Sequence, residues 1–359
     1  MSIVDKKTKT TEQFIVEAKL IHGDRYNYSL VDYKNAKKTV KILCKEHGEF
    51  EQTPEVHLTG CGCQKCGFKY NYNQNLLIDF IEKLKIKTIN NSKKIISPLE
   101  LDIYIPSHNV AIEYNGLYWH SELYKPSNYH LNKTELCEEK GIKLIHIFED
   151  EWLYKQDIVK SRLKNLFHLT ENKIFARKCE IREVSPKDSK LFLDNNHIQG
   201  AISSPINIGL FYNDELVSLL NMGKSRFNKN HQYEIVRFSN KTYTSVIGAF
   251  SKLFKYFNDN YLKYNEKVIT YADNRYSNGN LYSKNNFIYV EDSKPNYFYI
   301  NPDRTRGYAR FNRIQFQKHK LEKSLKKFDI TLTEWENMQI NGYDRIWDSG
   351  QIVYTYTKV

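Results

Sequence analysis

No apolar run in this chain approaches the roughly 20 residues needed to span a bilayer, and the opening "MSIVDKKTKT" lacks the apolar segment of a secretory signal. The expectation is a protein of the cytoplasm that works away from membranes. Cysteine is also scarce: there are six in 359 residues, four of them between positions 44 and 66. That clustering argues against a disulfide framework and for metal ligation in a reducing compartment. Acid is in deficit, with 42 Asp and Glu against 54 Lys and Arg, a formal net charge of +12. An excess of cations predicts a polyanionic partner, because Lys and Arg neutralise phosphates and release counterions. A basic amphipathic surface helix would be needed for membrane binding; here the charge is spread along the chain among 27 tyrosines and 19 phenylalanines. With 40% hydrophobic residues, the chain is long enough for two or three domains with separate cores.

The stretch "ELDIYIPSHNVAIEYNGLYWH", residues 100–120, has the most chemical content. Two alternating runs, Leu101 to Ile105 and Val110 to Tyr114, flank Pro106, Ser107, His108 and Asn109, which predicts a hairpin with a four-residue loop. If Ile105 pairs with Val110, Asp102 lies opposite Glu113 and Glu100 opposite Asn115, all on one face. Leu101, Ile103, Ile105, Val110, Ile112 and Tyr114 take the other face, towards a core. Like charges directly opposite one another are destabilising. Either a cation sits between the carboxylates, where hard oxygen ligands suit magnesium, or this is a solvated polar face on an edge hairpin.

Cys44-x2-His47 and Cys63-x2-Cys66 have the spacing by which adjacent turns each supply two corners of a tetrahedral zinc site. A set of reduced buried cysteines is the alternative. Cys61 is a substitute ligand, because "GCGCQKC" offers three thiols for two places. A closed four-ligand site is structural. It would hold a small module that carries Lys34, Lys37, Lys38, Lys41 and Lys45 towards phosphate.

Periodicity divides the chain into three segments. In the first, "TEQFIVEAKLIHG" predicts a helix, followed by strands at Tyr26 to Tyr33 and Thr39 to Leu43. The second has a helix over Gln74 to Leu84, the acidic hairpin, a helix over Asn128 to Lys140 and a buried strand "IKLIHIF", in the order α, β, β, α, β. "EDEWLYKQDIVKSRLKNLF" then has helical spacing, with acids first and bases later, as the helix dipole favours. In the third, "FARKCEIREVSP" reads as strand then turn, "KDSKLFLDNNH" as a helix, and "INIGLFYNDELVSLLNMG" as a hairpin turning at Asn213 and Asp214. Strand "QYEIVRFS", helix "AFSKLFKYFNDNY", strand "KVITYAD" and a short helix before "FIYVED" follow.

"LDIYIP", "AIEYNGLYWH" and "GIKLIHIFEDEW" together resemble the phage homing endonucleases related to very-short-patch-repair nucleases, a branch of the PD-(D/E)xK fold. The resemblance implies hydrolysis of phosphodiester bonds in double-stranded DNA. It makes Asp102 the metal-binding aspartate and His120 the histidine that assists proton transfer, while Glu113 fits the D/E position. Asn115 stands where the general pattern has lysine, and His130, with Lys133 one turn on, falls about where the repair nucleases have a further acidic residue. Gln74 appears where many relatives carry a helical glutamate. A magnesium ion on Asp102 and Glu113 would lower the pKa of a bound water, and His120 would act as acid or base. "HGDRYNYS", "KEHGEFEQTPEVHLTG" and "CGCQKC" resemble the small zinc module found in front of such phage nucleases, which implies a phage-encoded protein in a bacterial host cell.

The third segment, through "SVIGAFSKLF" and "NGNLYSKNNF", resembles the GNAT acyltransferase fold, particularly its Mom-type DNA-modification branch. Working acyltransferases cradle the acetyl-CoA pyrophosphate with an R/Q-x-x-G-x-G/A loop at a helix N-terminus. Only Gly248 of that loop is present; Ser245 and Phe250 replace the first and last positions, and the bulky ring is expected where backbone must approach phosphate. Tyr282 matches the tyrosine that often serves as general acid, and Asp273 ends the preceding strand. Between Asn296 and Ile330 nine Lys or Arg face three acids, among them Arg304, Arg306, Arg310, Arg313 and Lys318, which favours phosphate contact or a solvated basic helix face.

The expected architecture is α+β and multidomain: a zinc-binding DNA-contact module over residues 1–70, a PD-(D/E)xK-type α/β endonuclease domain over 71–168 and a DNA-binding GNAT-like α/β domain over 169–359. The expected function is a site-specific, magnesium-dependent DNA endonuclease with structural zinc. A Mom-type DNA-modifying acyltransferase and a DNA-binding protein with a decayed nuclease site are the alternatives.

Overall fold

The computed structural model describes residues 9–22, 26–45, 47–58, 62–63, 70–301 and 309–359. In chain order its principal elements begin with α1 (Thr11–His22), β1 (Tyr26–Asn27), β2 (Val40–Cys44), β3 (Gly48–Gln52), α2 (Pro54–Leu58) and α3 (Tyr70–Lys83). Next come β4 (Ile89–Ile96), β5 (Leu99–Ile105), β6 (Val110–Asn115), α4 (Tyr129–Glu138), β7 (Lys143–Phe148), α5 (Glu149–Tyr154) and α6 (Gln156–Leu166). Then follow β8 (Asn172–Phe175), β9 (Glu180–Glu183), α7 (Pro186–Asn196), β10 (Ile206–Tyr212), β11 (Glu215–Lys224), β12 (Tyr233–Asn240), β13 (Thr244–Ile247), α8 (Ala249–Asn260), β14 (Lys267–Asp273), α9 (Asn280–Ser283) and β15 (Ile288–Asp292). The chain closes with β16 (Tyr297–Ile300), β17 (Arg310–Asn312), α10 (Lys318–Ser324), α11 (Glu334–Ile340), β18 (Asp344–Trp347) and β19 (Gln351–Thr357).

Contacts divide the chain into two compact units. The first comprises Met1–Ile86, Ile300–Arg310 and Gln315–Asp344; the second comprises Lys87–Tyr299, Phe311–Ile314 and Arg345–Val359. In the first, the antiparallel sheet β1-β2-β3 and α1 enclose a core of Phe14, Ala18, Tyr26, Tyr28, Val40, Ile42, Cys44 and Cys63. Buried His57 is satisfied within this unit, by the Tyr28 hydroxyl at 3.1 Å and Gln52 Oε1 at 3.0 Å. Its later part holds α10 and α11, the latter begun by a reciprocal cap: Thr333 Oγ1 accepts from the Glu336 amide and Glu336 Oε2 from the Thr333 amide.

The second unit contains two larger sheets. In the four-stranded sheet β4-β5-β6-β7, β6 and β7 are parallel and are linked through α4; the other neighbours are antiparallel. This βαβ crossover covers β6, so all six of its residues are buried. In the seven-stranded sheet β15-β19-β14-β12-β11-β10-β9, only β12 and β14 pair in parallel. The helix α8 buries Phe250, Leu253, Phe254 and Phe257 on one side, against β10 and β11. The architecture is α+β.

The hairpin turning at Asn213 and Asp214 forms as expected, with φ of 51° and 61°, the left-handed pair a tight turn requires. Four expectations need correction. The expected strand at Tyr26 to Tyr33 is only Tyr26–Asn27. The predicted long helix after β7 is two helices, α5 and α6, separated at Lys155. The strand β4 was not foreseen, because "INNSKKII" carries exposed polar residues without strand alternation. The Phe250 ring points into the core, stacked on Phe254 at 5.7 Å, and does not stand in the loop where phosphate would approach.

The apolar side of α8 predicts a large truncation effect: Phe257→Ala should destabilise the second unit by about 3–5 kcal/mol. Guanidinium unfolding followed by near-ultraviolet circular dichroism reads this directly.

Candidate active site and metal centre

The β5–β6 register follows the expected pairing, with Ile105 opposite Val110, Tyr104 opposite Ala111 and Ile103 opposite Ile112. The named pairs end there, at the two acids. The Asp102 amide donates to Glu113 Oε1 at 3.2 Å, and the Tyr114 amide donates to Asp102 Oδ2 at 2.9 Å. Each carboxylate therefore takes up a backbone donor on the neighbouring strand. On β6 the polar face is not solvated, with Glu113 1% exposed and Asn115 fully buried, because α4 and β7 cover the central strand; on β5, Asp102 and Glu100 are half-buried.

The cation that meets these acids is Lys133, from the middle of α4. Its Nζ lies 2.5 Å from Glu113 Oε2, and both side chains are almost fully buried. Burial, followed by the neighbouring charge of Glu113, pushes the Asp102 carboxyl well above its ordinary range. Burial likewise raises Glu113, against the pull of Lys133. For Lys133, burial disfavours the ammonium, but Glu113 and Asp102 outweigh it and hold the pKa up. The Lys133 ammonium meets Glu113 directly, and the half-buried Asp102 carboxyl adjoins them on β5.

Three histidines surround this group. His120 is in the loop after β6, and its Nδ1 lies 3.0 Å from His130 Nε2 at the start of α4, with the rings nearly parallel. His146 is in β7; its Nδ1 faces the Asn115 amide nitrogen at 3.1 Å and its Nε2 the Thr134 hydroxyl at 2.9 Å. The Thr134 hydroxyl donates to the His130 carbonyl. Burial is the main force lowering all three imidazoles, and it takes His130 down to about 3. A neutral imidazole presents one donor and one acceptor, as proton transfer requires.

The residues fit a hard divalent cation. Carboxylate oxygens from Asp102 and Glu113 are the hard donors such an ion would take, and Asn115 Oδ1, two residues on from Glu113 along β6, is buried with no hydrogen-bond partner. Thus Asp102, Glu113, Asn115, His120 and His130 all belong to the second unit, in one neighbourhood on β5, β6, α4 and the loop after β6. Gln74 is buried on α3, in the first unit. The sequence reading gave Lys133 no role at the acids and missed His146 and Thr134. A polar histidine inside the apolar strand "KLIHIF" was the available signal for His146.

A second centre lies in the first unit. Cys44 ends β2, His47 is in the turn, and Gly48 opens β3 with φ of +77°, a left-handed conformation that glycine adopts without strain. The ligand atoms of Cys44, His47 and Cys63 lie within 4.8 Å of one another. The Cys63 amide donates to the Tyr26 hydroxyl at 3.2 Å. At Gly62 a Cβ would come within 2.0 Å of that hydroxyl, so the approach of this loop needs glycine. The group can bind a metal such as zinc. Cys61 and Cys66 lie outside the described residues.

Of the residues expected to meet DNA, Lys37, Lys38, Arg313 and Lys318 are exposed. Lys41 is exposed but pairs with Glu49 at 2.7 Å across the β2–β3 hairpin, which reduces the charge it offers to phosphate. Arg310 is partly buried, and Arg304 and Arg306 lie outside the described residues. Among the described residues no helix is long and apolar enough to cross a membrane.

Residues 7–67 match a family model described as a protein of unknown function, DUF723. Similar curated proteins include uncharacterized protein R892 of Acanthamoeba polyphaga mimivirus, 48% identical over 56 residues, which are 15% of this chain and 21% of that protein. Uncharacterized protein R97 of the same virus is 43% identical over 61 residues, 17% of this chain and 22% of its own length. The chain thus spans about a fifth of the length of these relatives. Among solved structures, the catalytic domain of homing endonuclease I-Bth0305I is similar at 23% identity and a TM-score of 0.23, over 27% of this chain and 93% of that one. An aminoglycoside 6'-acetyltransferase type Ii is similar at 11% identity and a TM-score of 0.28, over 50% and 97%.

Two outcomes follow from these geometries. Lys133→Met, which leaves buried acids without their ammonium, should cost about 3–5 kcal/mol of stability; in a double-mutant cycle, adding Glu113→Gln should recover much of it. Cys63→Ser should abolish zinc binding, read as zinc content by mass spectrometry; unchanged zinc would remove Cys63 from the site.

Proposed function

We propose that this protein is a metal-dependent DNA endonuclease. The observation that carries the reading is the convergence, at the end of one strand pairing, of the buried Glu113 and the half-buried Asp102 carboxylates with Lys133 and the His120–His130 pair. Asp102 and Glu113 would hold magnesium, with Asn115 Oδ1 beside them. When bound, the ion would polarise a phosphate and supply an activated water at neutral pH. Lys133 opposes the effect of burial on the Glu113 carboxyl and orients it through Oε2. His120, kept neutral by burial and backed by His130, takes or returns the proton. His146 is oriented by Asn115 and Thr134 and buttresses the His130 end of the pair.

Double-stranded DNA is the proposed substrate. Exposed Lys37, Lys38 and Lys318 in the first unit and Arg313 in the second offer phosphate contacts. The zinc group would hold the first of these segments in shape, with Cys66 as fourth ligand. The seven-stranded part would serve DNA binding and not acyl transfer. Near the start of α8, Lys252 Nζ donates to the Ala176 and Cys179 carbonyls of the β8–β9 connection. The domain limits we propose remain 1–70, 71–168 and 169–359. The cell compartment proposed is cytoplasm.

Incubation of the wild type with phage-derived DNA and magnesium should give discrete fragments that disappear with EDTA. Asp102→Ala should bind DNA as well as the wild type and lose about 100-fold or more in cutting rate. Equal cutting by Asp102→Ala would overturn the site assignment. Binding without cutting by the wild type would favour a decayed nuclease.

A further inference from the structure

One end of the seven-stranded sheet gathers cations and exposed rings that neither centre uses. β11 ends at Lys224, opposite Tyr233 at the start of β12; Tyr233 pairs in turn with Val268 of β14, and Lys267 with Thr357 of β19. This register brings the β11–β12 turn (225–232), the connection from α8 to β14 (261–266) and the last residues of β19 together. Lys224, Lys229, Lys263 and Lys267 are all exposed there, and none has an acidic ion-pair partner among the described residues. Phe227 in the first loop and Tyr264 in the second are 73% and 76% exposed, the two most exposed aromatic side chains among the described residues.

Both loops are held by their own hydrogen bonds. The Arg226 amide donates to Glu234 Oε2 at 3.2 Å and its Nη2 to Oε1 of the same buried carboxylate at 2.5 Å, which anchors the residue before Phe227 and leaves its guanidinium carbon 5.4 Å from the Phe227 ring centre. In the second loop the Lys263 amide donates to Glu266 Oε2 at 2.8 Å and the Asn265 amide to the Lys358 carbonyl at 2.9 Å. Gln232 ties the two together: its amide donates to the Lys267 carbonyl at 3.1 Å, and its Oε1 accepts from the Lys267 amide at 2.8 Å. The acids of this end, Glu234 and Glu266, are thus engaged within the loops, while the four lysines face solvent. A surface already ordered in this way avoids the cost of ordering loops on binding.

Unpaired lysines around two exposed rings do not suit the core of a protein interface, where lysine is depleted. They suit a strand of nucleic acid, whose phosphates take the ammonium groups and whose unpaired bases present flat faces to aromatic rings. We propose that this end of the sheet binds a single-stranded segment of DNA, with Lys224, Lys229, Lys263 and Lys267 on its phosphates and Phe227 and Tyr264 stacked on its bases. The choice of DNA over an anionic lipid surface rests on the endonuclease reading; the arrangement of the surface does not. β14 runs seven residues from Lys267 to Asp273, roughly 20 Å along the strand, and just beyond it the Arg275 carbonyl accepts from the His146 amide. The surface therefore lies at the opposite end of β14 from that contact, and it contributes binding, not chemistry.

Fluorescence anisotropy of labelled single-stranded oligonucleotides with the full chain, in magnesium-free buffer over a range of salt, tests the surface. Changing Lys224, Lys229, Lys263 and Lys267 together to Gln should make the slope of log affinity against log salt shallower by roughly 3. Phe227→Ala combined with Tyr264→Ala should weaken single-strand binding about tenfold or more and leave the slope unchanged. In the wild type, an oligonucleotide carrying iododeoxyuridine should photocrosslink to Phe227 or Tyr264, read by peptide mass spectrometry, and this needs no variant to fold. An unchanged slope in the lysine variant, unchanged affinity in the ring variant, or crosslinks confined to other parts of the chain would overturn the proposal. Lysine-dependent binding of phosphatidylserine vesicles with undiminished DNA affinity would overturn it in favour of a lipid surface. DNA cutting with unaltered single-strand binding in both variants would sink the surface alone; variant-sensitive binding in a protein that cuts no DNA would sink the endonuclease reading alone.

Discussion

The buried Glu113–Lys133 pair is the constraint on which the four-stranded half of the second unit depends. Burial raises both carboxyls above their usual range, and the charge of Glu113 raises Asp102 further. One ammonium from α4 offsets part of this cost at 2.5 Å. It also fixes α4 over β6, which brings His130 and Thr134 to their partners on the loop after β6 and on β7. An apolar pair of similar volume would hold the same elements together at least as well. Stability alone therefore does not account for a charged group at this place, and under the proposed function a divalent cation would complement it.

Around this cluster the polar groups are arranged in directed chains. Asn115 donates to His146, His146 to Thr134 and Thr134 to the His130 carbonyl. A second contact joins His120 Nδ1 to His130 Nε2. In a low-dielectric interior such networks specify one arrangement only when each member is satisfied. Here Asn115 Oδ1 is left over, beside the acids. The Ser121–Ile346 bridge and the Arg345–Glu122 pair hold the loop that carries His120 against residues 345–346, outside residues 87–166.

Much of this was legible in the sequence. The alternation around Pro106 to Asn109 gave the hairpin register through Ile103, and the apolar face it named is buried throughout. The Cys and His spacing brought Cys44, His47 and Cys63 together. What was not legible arises from long-range contact. Lys133 lies on a helix with little amphipathic character, and nothing local distinguishes a lysine that turns inwards to an acid twenty residues earlier. Residues 315–344, read as part of the last segment, cluster with residues 1–86 in one unit. The path of Arg345 to Trp347 past His120 likewise has no local signature, because the partners are more than 200 residues apart.

The central claim is that Asp102 and Glu113 form a cation site. Its most direct test is manganese binding to the zinc-loaded full chain, followed by electron paramagnetic resonance, with manganese standing in for magnesium. The account predicts a bound ion displaced by magnesium in the wild type and absent in Asp102→Ala. No bound ion in the wild type, or undiminished binding in Asp102→Ala, would contradict it.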